Sequence, residues 1–218
     1  MQNVNGPSLV MKFAEDFESI AHEIKVLKKI NKKSKTVGFP LISTYGMFIG
    51  ANLDPKDVSE TKIPEEEENT RFFAYYVMPK YEKSLQDYLD ANNDQIEASA
   101  TLKIMGQVFK ALEVLHSVGY NHNDIKPSNI MIDDEFNATL IDFGFTTKFM
   151  ATKNVHLDVA ETKSFRGNLL YSSYDQMQFK TTSRKDDLIS ACYLMLTLLN
   201  GNVFPMMRRS MTLEYNDN

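Results

Sequence analysis

A short polar segment in the middle of the chain, followed by a second one, has residue types and spacing that could do chemistry. The first runs from His122 to Asn129 as His-Asn-Asp-Ile-Lys-Pro-Ser-Asn, and the second is Asp-Phe-Gly beginning at Asp142. Carboxylate and amide oxygens suit a hard cation such as Mg²⁺. Each Asp, Asn or Gly taken alone would be an ordinary turn residue. The hypothesis of a reactive site therefore depends on their occurring together and in this order.

The two segments resemble the catalytic loop and the Asp-Phe-Gly element of protein kinases. The spacing matches H-R-D-L-x-x-x-N, with Asn123 in place of the arginine and Ile125 in place of the leucine. The resemblance implies phosphoryl transfer from ATP with Mg²⁺. Asp124 would accept a hydrogen bond from the substrate hydroxyl, and Asn129 and Asp142 would hold the metal ion against the phosphates.

Further residues narrow the resemblance to one group of kinases. Lys126, followed by Pro127, resembles the serine/threonine class and would lie near the transferred phosphate as a second catalytic residue. The usual A-P-E element is absent, and the segments 166–173 and 183–188 look like those of the casein kinase 1 group, including the vaccinia-related kinases. The resemblance therefore implies protein substrates with serine or threonine hydroxyls.

The resemblance also implies nucleotide-binding residues upstream of the catalytic loop. Lys12, which ends a run similar to V-A-I-K, would bind the α- and β-phosphates, and Glu23 would pair with it from a helix. Met78 would lie at the back of the adenine pocket, with the backbone around Lys80 and Tyr81 facing the adenine edge. Without the downstream match, Lys12 and Glu23 would be ordinary surface charges.

The pattern of residues 1–80 predicts a small β-rich unit with one helix. We predict strands over residues 7–13 and 72–78, a strand within 38–50, and a helix over 17–30. Residues 51–69 are polar and acidic, which is typical of an exposed insertion in a hairpin.

The pattern of residues 81–218 predicts a mainly helical unit. We predict helices over 84–89, 101–117 and 187–199, short strands over 130–132 and 139–141, and a long loop over 150–167. The last helix is apolar nearly all round, which indicates burial. The core-facing residues predicted for the helix 101–117 are Leu102, Met105, Phe109, Leu112 and Leu115.

These elements and the resemblance predict an α+β fold with two lobes, a partial N-lobe over 1–80 and a partial C-lobe over 81–218. The glycine-rich G-x-G-x-x-G loop is absent before Lys12, and the chain ends soon after the last predicted helix. We therefore expect both lobes to be incomplete. We also expect the C-lobe to expose an apolar face that a protein partner would cover.

The composition is that of an ordinary globular domain. The net charge of −5 gives no basic field for nucleic acid. One cysteine precludes an internal disulfide and suits a reducing compartment. The sequence shows neither a signal peptide nor a bilayer-spanning segment. We expect a cytoplasmic or nuclear protein that binds no nucleic acid or membrane.

Three functions remain open from the sequence. The first is a serine/threonine kinase of the casein kinase 1 type. The second is a catalytically impaired kinase-like binding module or a kinase fragment. The third is a Mg-ATP hydrolase or small-molecule kinase with the same catalytic core.

Overall fold

The computed structural model describes residues 8–33, 38–50, 71–152 and 155–204. The predicted insertion at 51–69 lies outside these ranges. The elements form a small lobe built on one sheet and a larger, mainly helical lobe. The α+β architecture with two lobes predicted from the sequence is confirmed.

The small lobe consists of a three-stranded antiparallel sheet and one helix. Its strands are β1 (Leu9–Ala14), β2 (Thr44–Gly50) and β3 (Arg71–Pro79), with β3 in the centre. Helix α1 (Phe17–Lys33) carries Glu18 in its first turn and Lys32 and Lys33 in its last turn. Charges of these signs at these ends interact favourably with the helix dipole. Its buried residues recur at helical spacing and face the sheet.

The large lobe contains four helices among the described residues. They are α2 (Leu85–Ala91), α3 (Ala98–Ser117), α4 (Tyr174–Met177) and α5 (Arg184–Leu199). Helix α2 begins with a capping box, in which the hydroxyl of Ser84 accepts from the backbone N–H of Asp87 and the Asp87 carboxylate accepts from the backbone N–H of Ser84. Helices α3 and α5 pack against each other and together contribute nearly half of the buried apolar core of this lobe.

Short strands carry the loops between the helices. Strands β4 (Lys83–Ser84), β6 (Ile130–Ile132) and β7 (Ala138–Leu140) form one small sheet, and β5 (Tyr120–Asn121) pairs with β8 (Thr147–Lys148). Strands β9 (Met150–Thr152) and β10 (Val155–His156) form a hairpin. The catalytic-loop segment therefore leaves β5 and enters β6, with a single 3-10 turn over Pro127–Asn129 between them.

The segment after α1 connects the two lobes. The backbone carbonyl of Gly38 accepts a 2.8 Å hydrogen bond from the backbone N–H of Leu140 in β7. Gly38 has a φ of +82°, and a Cβ there would lie 3.0 Å from the Cβ of Ala111 in α3. Glycine is required here because the backbone is left-handed and lies almost against the helix.

Three details of the prediction are wrong. Leu102 is 58% exposed. The buried stripe of α3 does not pass through this residue but includes Thr101, Ile104, Met105 and Val108. The segment 150–167 is not all loop, since it contains the β9–β10 hairpin, whose strands are too short to give a period. Helix α5 begins at Arg184 and buries only one face.

The buried face of α5 includes carboxylates in its first turn, Asp186 and Asp187, while three of its leucines are well exposed: Leu188, Leu196 and Leu199. The carboxylates are buried because they accept hydrogen bonds from other backbone and side-chain groups. None of the helices in the described ranges combines the length and apolar character needed to span a bilayer.

Candidate active site

Lys12 connects the two lobes at the centre of the predicted nucleotide site. Its Nζ lies 2.8 Å from Oε1 of Glu23, which α1 carries, and 2.9 Å from Oδ1 of Asp142, which follows β7. Partial burial disfavours the ammonium, but the two carboxylates outweigh this and raise the pKa of Lys12. Burial alone would raise the pKa of Asp142, but attraction to Lys12 outweighs it and lowers that pKa.

Glu23 has a second anchor, which the sequence did not indicate. The hydroxyl of Tyr76 in β3 donates a 2.9 Å hydrogen bond to Oε2 of Glu23. Both side chains are almost fully buried. Burial, followed by the charge of Glu23, raises the pKa of Tyr76 well above its usual range, so the phenol stays protonated and keeps donating. The Glu23 carboxylate therefore stays bound to Tyr76 of the sheet even when Lys12 moves toward a ligand.

Asp124 is held by three polar side chains. Its Oδ2 lies 2.7 Å from the Lys126 ammonium and 2.8 Å from Nδ2 of Asn129, which also donates to the Asp124 backbone carbonyl. Its Oδ1 accepts from Nδ2 of Asn168 at 3.1 Å. Asp124 is buried and Lys126 is half-buried. The carboxylate therefore has a fixed orientation before any substrate arrives.

Asp187 fixes the backbone that leads into this loop. Its two carboxylate oxygens accept from the backbone N–H groups of His122 and Asn123, each at 2.8 Å. Oδ2 also accepts from Nε2 of His116 at 2.8 Å. Three donors on one buried carboxylate explain why Asp187 is buried at the start of a helix, and they give it a positioning role.

His122 is a neutral part of the same scaffold. Its Nε2 donates to the backbone carbonyl of Ile141 at 3.1 Å, and its Nδ1 accepts from the backbone N–H of Asp124 at 3.3 Å. Complete burial lowers the pKa of His122, with nearby carboxylates opposing only in part. The imidazole thus links the catalytic loop to the residue that precedes Asp142.

Asn123, which stands where the kinase pattern has arginine, binds the following segment with neutral hydrogen bonds. Its Nδ2 donates to the backbone carbonyl of Phe145 and to Oγ1 of Thr147, each at 2.8 Å. Its Oδ1 accepts from the hydroxyl of Thr182 at 2.6 Å. These contacts order the residues after Asp142 without any phosphate.

The donor set fits a hard divalent cation bound together with a nucleotide. Within the described ranges, Oδ1 of Asn129 and Oδ2 of Asp142 accept no hydrogen bond, so both oxygens are available to a metal ion. The backbone N–H of Ile141 donates to the carbonyl of Asn129 at 2.9 Å, which keeps the two ligands on adjacent segments. No group of three or more His, Cys, Asp or Glu side chains in the described part of the chain could hold a metal ion by itself. Phosphate oxygens would complete such a site.

The predicted hinge follows β3, as expected, with one difference. Met78 is half-buried and packs against the core. The backbone N–H of Lys80 donates to the carbonyl of Ser8 at 2.8 Å, which extends the pairing of β1 with β3. That N–H is therefore engaged and is not available for the predicted contact with the adenine edge. Burial raises the pKa of Tyr81 despite an opposing hydrogen bond with Thr139.

The structure thus brings together Lys12, Glu23 and Asp142 at one point and Asp124, Lys126 and Asn129 at another. Sequence reasoning missed Tyr76 and Asn168. Asn168 lies 44 residues after Asp124, and its Oδ1 accepts from the backbone N–H of Tyr171 at 2.8 Å. The only available signal was the Gly-Asn pair at 167–168, which is typical of a turn, and Gly167 does have a φ of +135°.

Comparison with known proteins agrees with this geometry. The family model described as "Protein kinase domain" matches residues 10–217. Casein kinase 1-like protein HD16 of Oryza sativa is 31% identical over 150 residues, which are 65% of this chain and 21% of that protein. Serine/threonine-protein kinase PrkC of Bacillus subtilis is 30% identical over 151 residues, which are 68% of this chain and 22% of that protein.

Similarity extends to a viral protein as well. B1 kinase of vaccinia virus is 28% identical over 132 residues, which are 59% of this chain and 44% of that protein. In each of these three comparisons, the matched region spans less than half of the relative's length.

Proposed function

The chain belongs to the protein kinase domain family, and from this premise we propose that it is a serine/threonine protein kinase of the casein kinase 1 type. It would transfer the γ-phosphate of ATP to hydroxyl groups of protein substrates. ATP use follows from the family. The metal ion is proposed to be Mg²⁺, because the available ligands are carboxylate and amide oxygens.

One observation carries the proposal. The Lys12 ammonium lies within 2.9 Å of carboxylate oxygens of both Glu23 and Asp142. This contact holds α1 against the sheet and aligns the residue that would bind phosphates with the one that would bind metal. Positioning and charge neutralisation are the main contributions that a protein makes to phosphoryl transfer.

Each residue then has a defined task. Lys12 would contact the α- and β-phosphates while Glu23 holds it in place. Bound Mg²⁺ would neutralise charge on the transferring phosphoryl group. Asp124 would accept the hydrogen bond of the attacking hydroxyl, and the ammonium of Lys126, 2.7 Å from Asp124, would face the transferred phosphate.

The finer assignment to the casein kinase 1 type is supported by two observations. Relatives named for casein kinase 1 occur among the similar proteins. The segment 166–173 lacks the A-P-E pattern and instead places Asn168 on Asp124. The same segment would lie beside a bound substrate, so substrate preference is expected to depend on it.

The test is transfer of labelled phosphate from ATP to casein in the presence of Mg²⁺, with Asp142→Ala as the inactive partner. We expect transfer by the natural chain, loss in the variant, and label on serine and threonine only. Circular dichroism should show that both proteins are folded. Removing divalent ions with EDTA should abolish transfer.

Other outcomes would favour the alternative functions. Stabilisation by ATP without transfer to any acceptor would identify a kinase-like binding module. Transfer to a sugar or amine but not to casein would identify a small-molecule kinase. Label on tyrosine would contradict the serine/threonine assignment.

A further inference from the structure

A second concave site lies away from the Lys12 cluster and is lined by basic side chains. It is a pocket of about 660 Å³ between the end of α1, the end of α3, the β8–β10 segment and the start of α5. Its basic lining residues are Lys29, His116, Lys148, His156 and Arg184. No carboxylate lines it among the described residues.

The two lysines of the pocket are both neighbours of one tyrosine, Tyr120. The Nζ of Lys29 lies 3.4 Å from the hydroxyl of Tyr120 and 4.9 Å from the centre of its ring. Tyr120 pairs directly with Lys148 across β5 and β8. Side chains of directly paired residues lie on the same face of a sheet. Lys29 of the small lobe and Lys148 of the large lobe therefore reach the same wall of the pocket.

Arg184 is oriented from the opposite side. Its guanidinium lies 5.5 Å from the centre of the Phe149 ring, a cation–π distance. One of its terminal nitrogens donates to Nε2 of His156 at 3.2 Å. Two contacts on a single planar group restrict its freedom, so less entropy is lost when its remaining N–H groups bind an anion.

The positive charges in this pocket are not neutralised in the described part of the chain. Lys29, Lys148 and Arg184 form no ion pair there. Asp187, which lies behind His116, already accepts three hydrogen bonds. The chain as a whole has a net charge of −5, so its overall charge does not explain this cluster of unpaired cations in a concave surface.

We propose that this pocket binds a phosphoryl dianion. A phosphate has the multiple acceptor oxygens that one guanidinium and two ammonium groups can satisfy together. The volume leaves room for the residues on either side of a phosphorylated side chain. An occupant would contact α1, which also carries Glu23, and the large lobe at the same time, and it would hold the two lobes together.

The test uses the full chain and measures binding without catalysis. The probe is a fluorescein-labelled phosphoserine peptide of otherwise glycine and alanine residues, followed by fluorescence anisotropy. Arg184→Gln and Lys148→Gln should each weaken binding about tenfold or more, as expected for charge-assisted hydrogen bonds. The matched control is Lys110→Gln on the exposed face of α3, which should bind like the natural chain.

The variants also allow a check on folding. A guanidinium in the first turn of α5 opposes the helix dipole, so Arg184→Gln should not lower the melting temperature through that effect. The phosphopeptide should raise the melting temperature of the natural chain and not that of the double variant Lys148→Gln, Arg184→Gln.

The sources of the phosphoryl group are distinguished by competition. Displacement of the peptide by inorganic phosphate at equal concentration would assign the site to the free ion. Displacement only at a large excess would assign it to a phosphorylated chain segment. Equal binding of the unphosphorylated peptide, or equal weakening in Lys110→Gln, would overturn the proposal, and so would unchanged affinity in the double variant.

Discussion

The cluster around Lys12 and the loop around Asp124 are held by different kinds of interaction. The first consists of ion pairs whose outer members remain open to water, with the Lys12 and Asp142 side chains 36% and 42% exposed. In the second, the carboxylate of Asp124 is buried, and two side-chain amides, those of Asn129 and Asn168, hold it together with the half-buried Lys126 ammonium. Asp124 is 2% exposed although it is the proposed proton acceptor.

The difference follows from what each region must do. In the proposed mechanism, Lys12 and Asp142 exchange each other for phosphate and metal, and charges that stay near water can rearrange at low cost. Asp124 has only to receive a hydroxyl, so its orientation can be fixed in advance, which is the arrangement that lowers an activation barrier. Breaking each region should therefore have different effects.

Replacing the proposed acceptor should give the largest effect. Asp124→Asn keeps the shape but removes the carboxylate, and we expect kcat to fall about 10²–10⁴-fold with little change in KM for ATP. Steady-state kinetics with casein measures both constants. Asp133→Asn, in the exposed turn between β6 and β7, serves as the control. A variant with normal kcat would remove Asp124 from the mechanism.

Removing the backbone anchor should cost stability as well as activity. Asp187→Asn leaves fewer acceptors for three donors, and each donor left without a partner costs about 1–3 kcal/mol. Urea unfolding should show this loss. Asp134→Asn removes an exposed ion pair with Lys83 and should leave the free energy of unfolding nearly unchanged. Similar losses in both variants would contradict the positioning role.

A charge next to Asp124 should change the pH dependence of the rate. Asn168→Asp replaces the donor 3.1 Å from Oδ1 with a second carboxylate, and repulsion between the two carboxylates should disfavour the state in which both are ionised. The acid limb of kcat should then move to higher pH by about one unit or more. Asn168→Ala should lower kcat without that shift. If the two variants gave the same profile, Asn168 would have only a structural role.

Acid should weaken the two regions in different pH ranges. The pKa of His122 is lowered from 6.5, so below pH 6.5 the unfolded chain takes up a proton that the folded chain does not, and stability falls. The pKa of Asp142 is lowered from 3.8, so its contribution is present above that value and is lost as pH falls further. Urea unfolding across the acid range measures both.

The variant Asp142→Asn separates the two contributions. It should leave the decline that begins near pH 6.5 unchanged and alter only the decline below 3.8. Imidazole resonances followed by NMR should show His122 still neutral in the folded protein just below pH 6.5, where an unperturbed imidazole is protonated. A His122 that titrated like an unperturbed imidazole would contradict the expected stability profile.

The smallest effect is expected at the second anchor of Glu23. Tyr76→Phe removes one hydrogen bond but leaves Lys12 on the carboxylate, so we expect a loss of about 1 kcal/mol and a modest rise in KM for ATP. Tyr88→Phe is the matched control, because the Tyr88 hydroxyl donates no hydrogen bond in the described part of the chain. A large fall in kcat would mean that Tyr76 contributes more to the arrangement of the site than the contacts indicate.

The sequence predicted the parts of the site that are local in the chain. The spacing of Asp124, Asn129 and Asp142 is fixed by short strands and turns, so a motif describes it fully. Tyr76 and Asn168 reach the same site across 53 and 44 residues, respectively, and no period or spacing encodes that approach. The engagement of the Lys80 N–H depends likewise on the register of β1 with β3.

Leu102 illustrates the corresponding limit for the fold. Helical spacing correctly predicted α3, but several adjacent apolar stripes were possible, and packing against α5 selected the one centred on Thr101 and Ile104. A one-residue difference rotates a helix by about 100°. The element could be predicted from the sequence, whereas the buried face was decided by the neighbouring helix.

The neutral contacts of Asn123 have a consequence for the response to ionic strength. Attraction between exposed charges is screened over about 10 Å at 0.1 M salt, whereas hydrogen bonds between uncharged groups are not. The three contacts from Asn123 to Phe145, Thr147 and Thr182 contain no ion. The segment after Asp142 should therefore stay equally ordered in dilute buffer and in concentrated salt, although the Lys12 ion pairs beside it weaken.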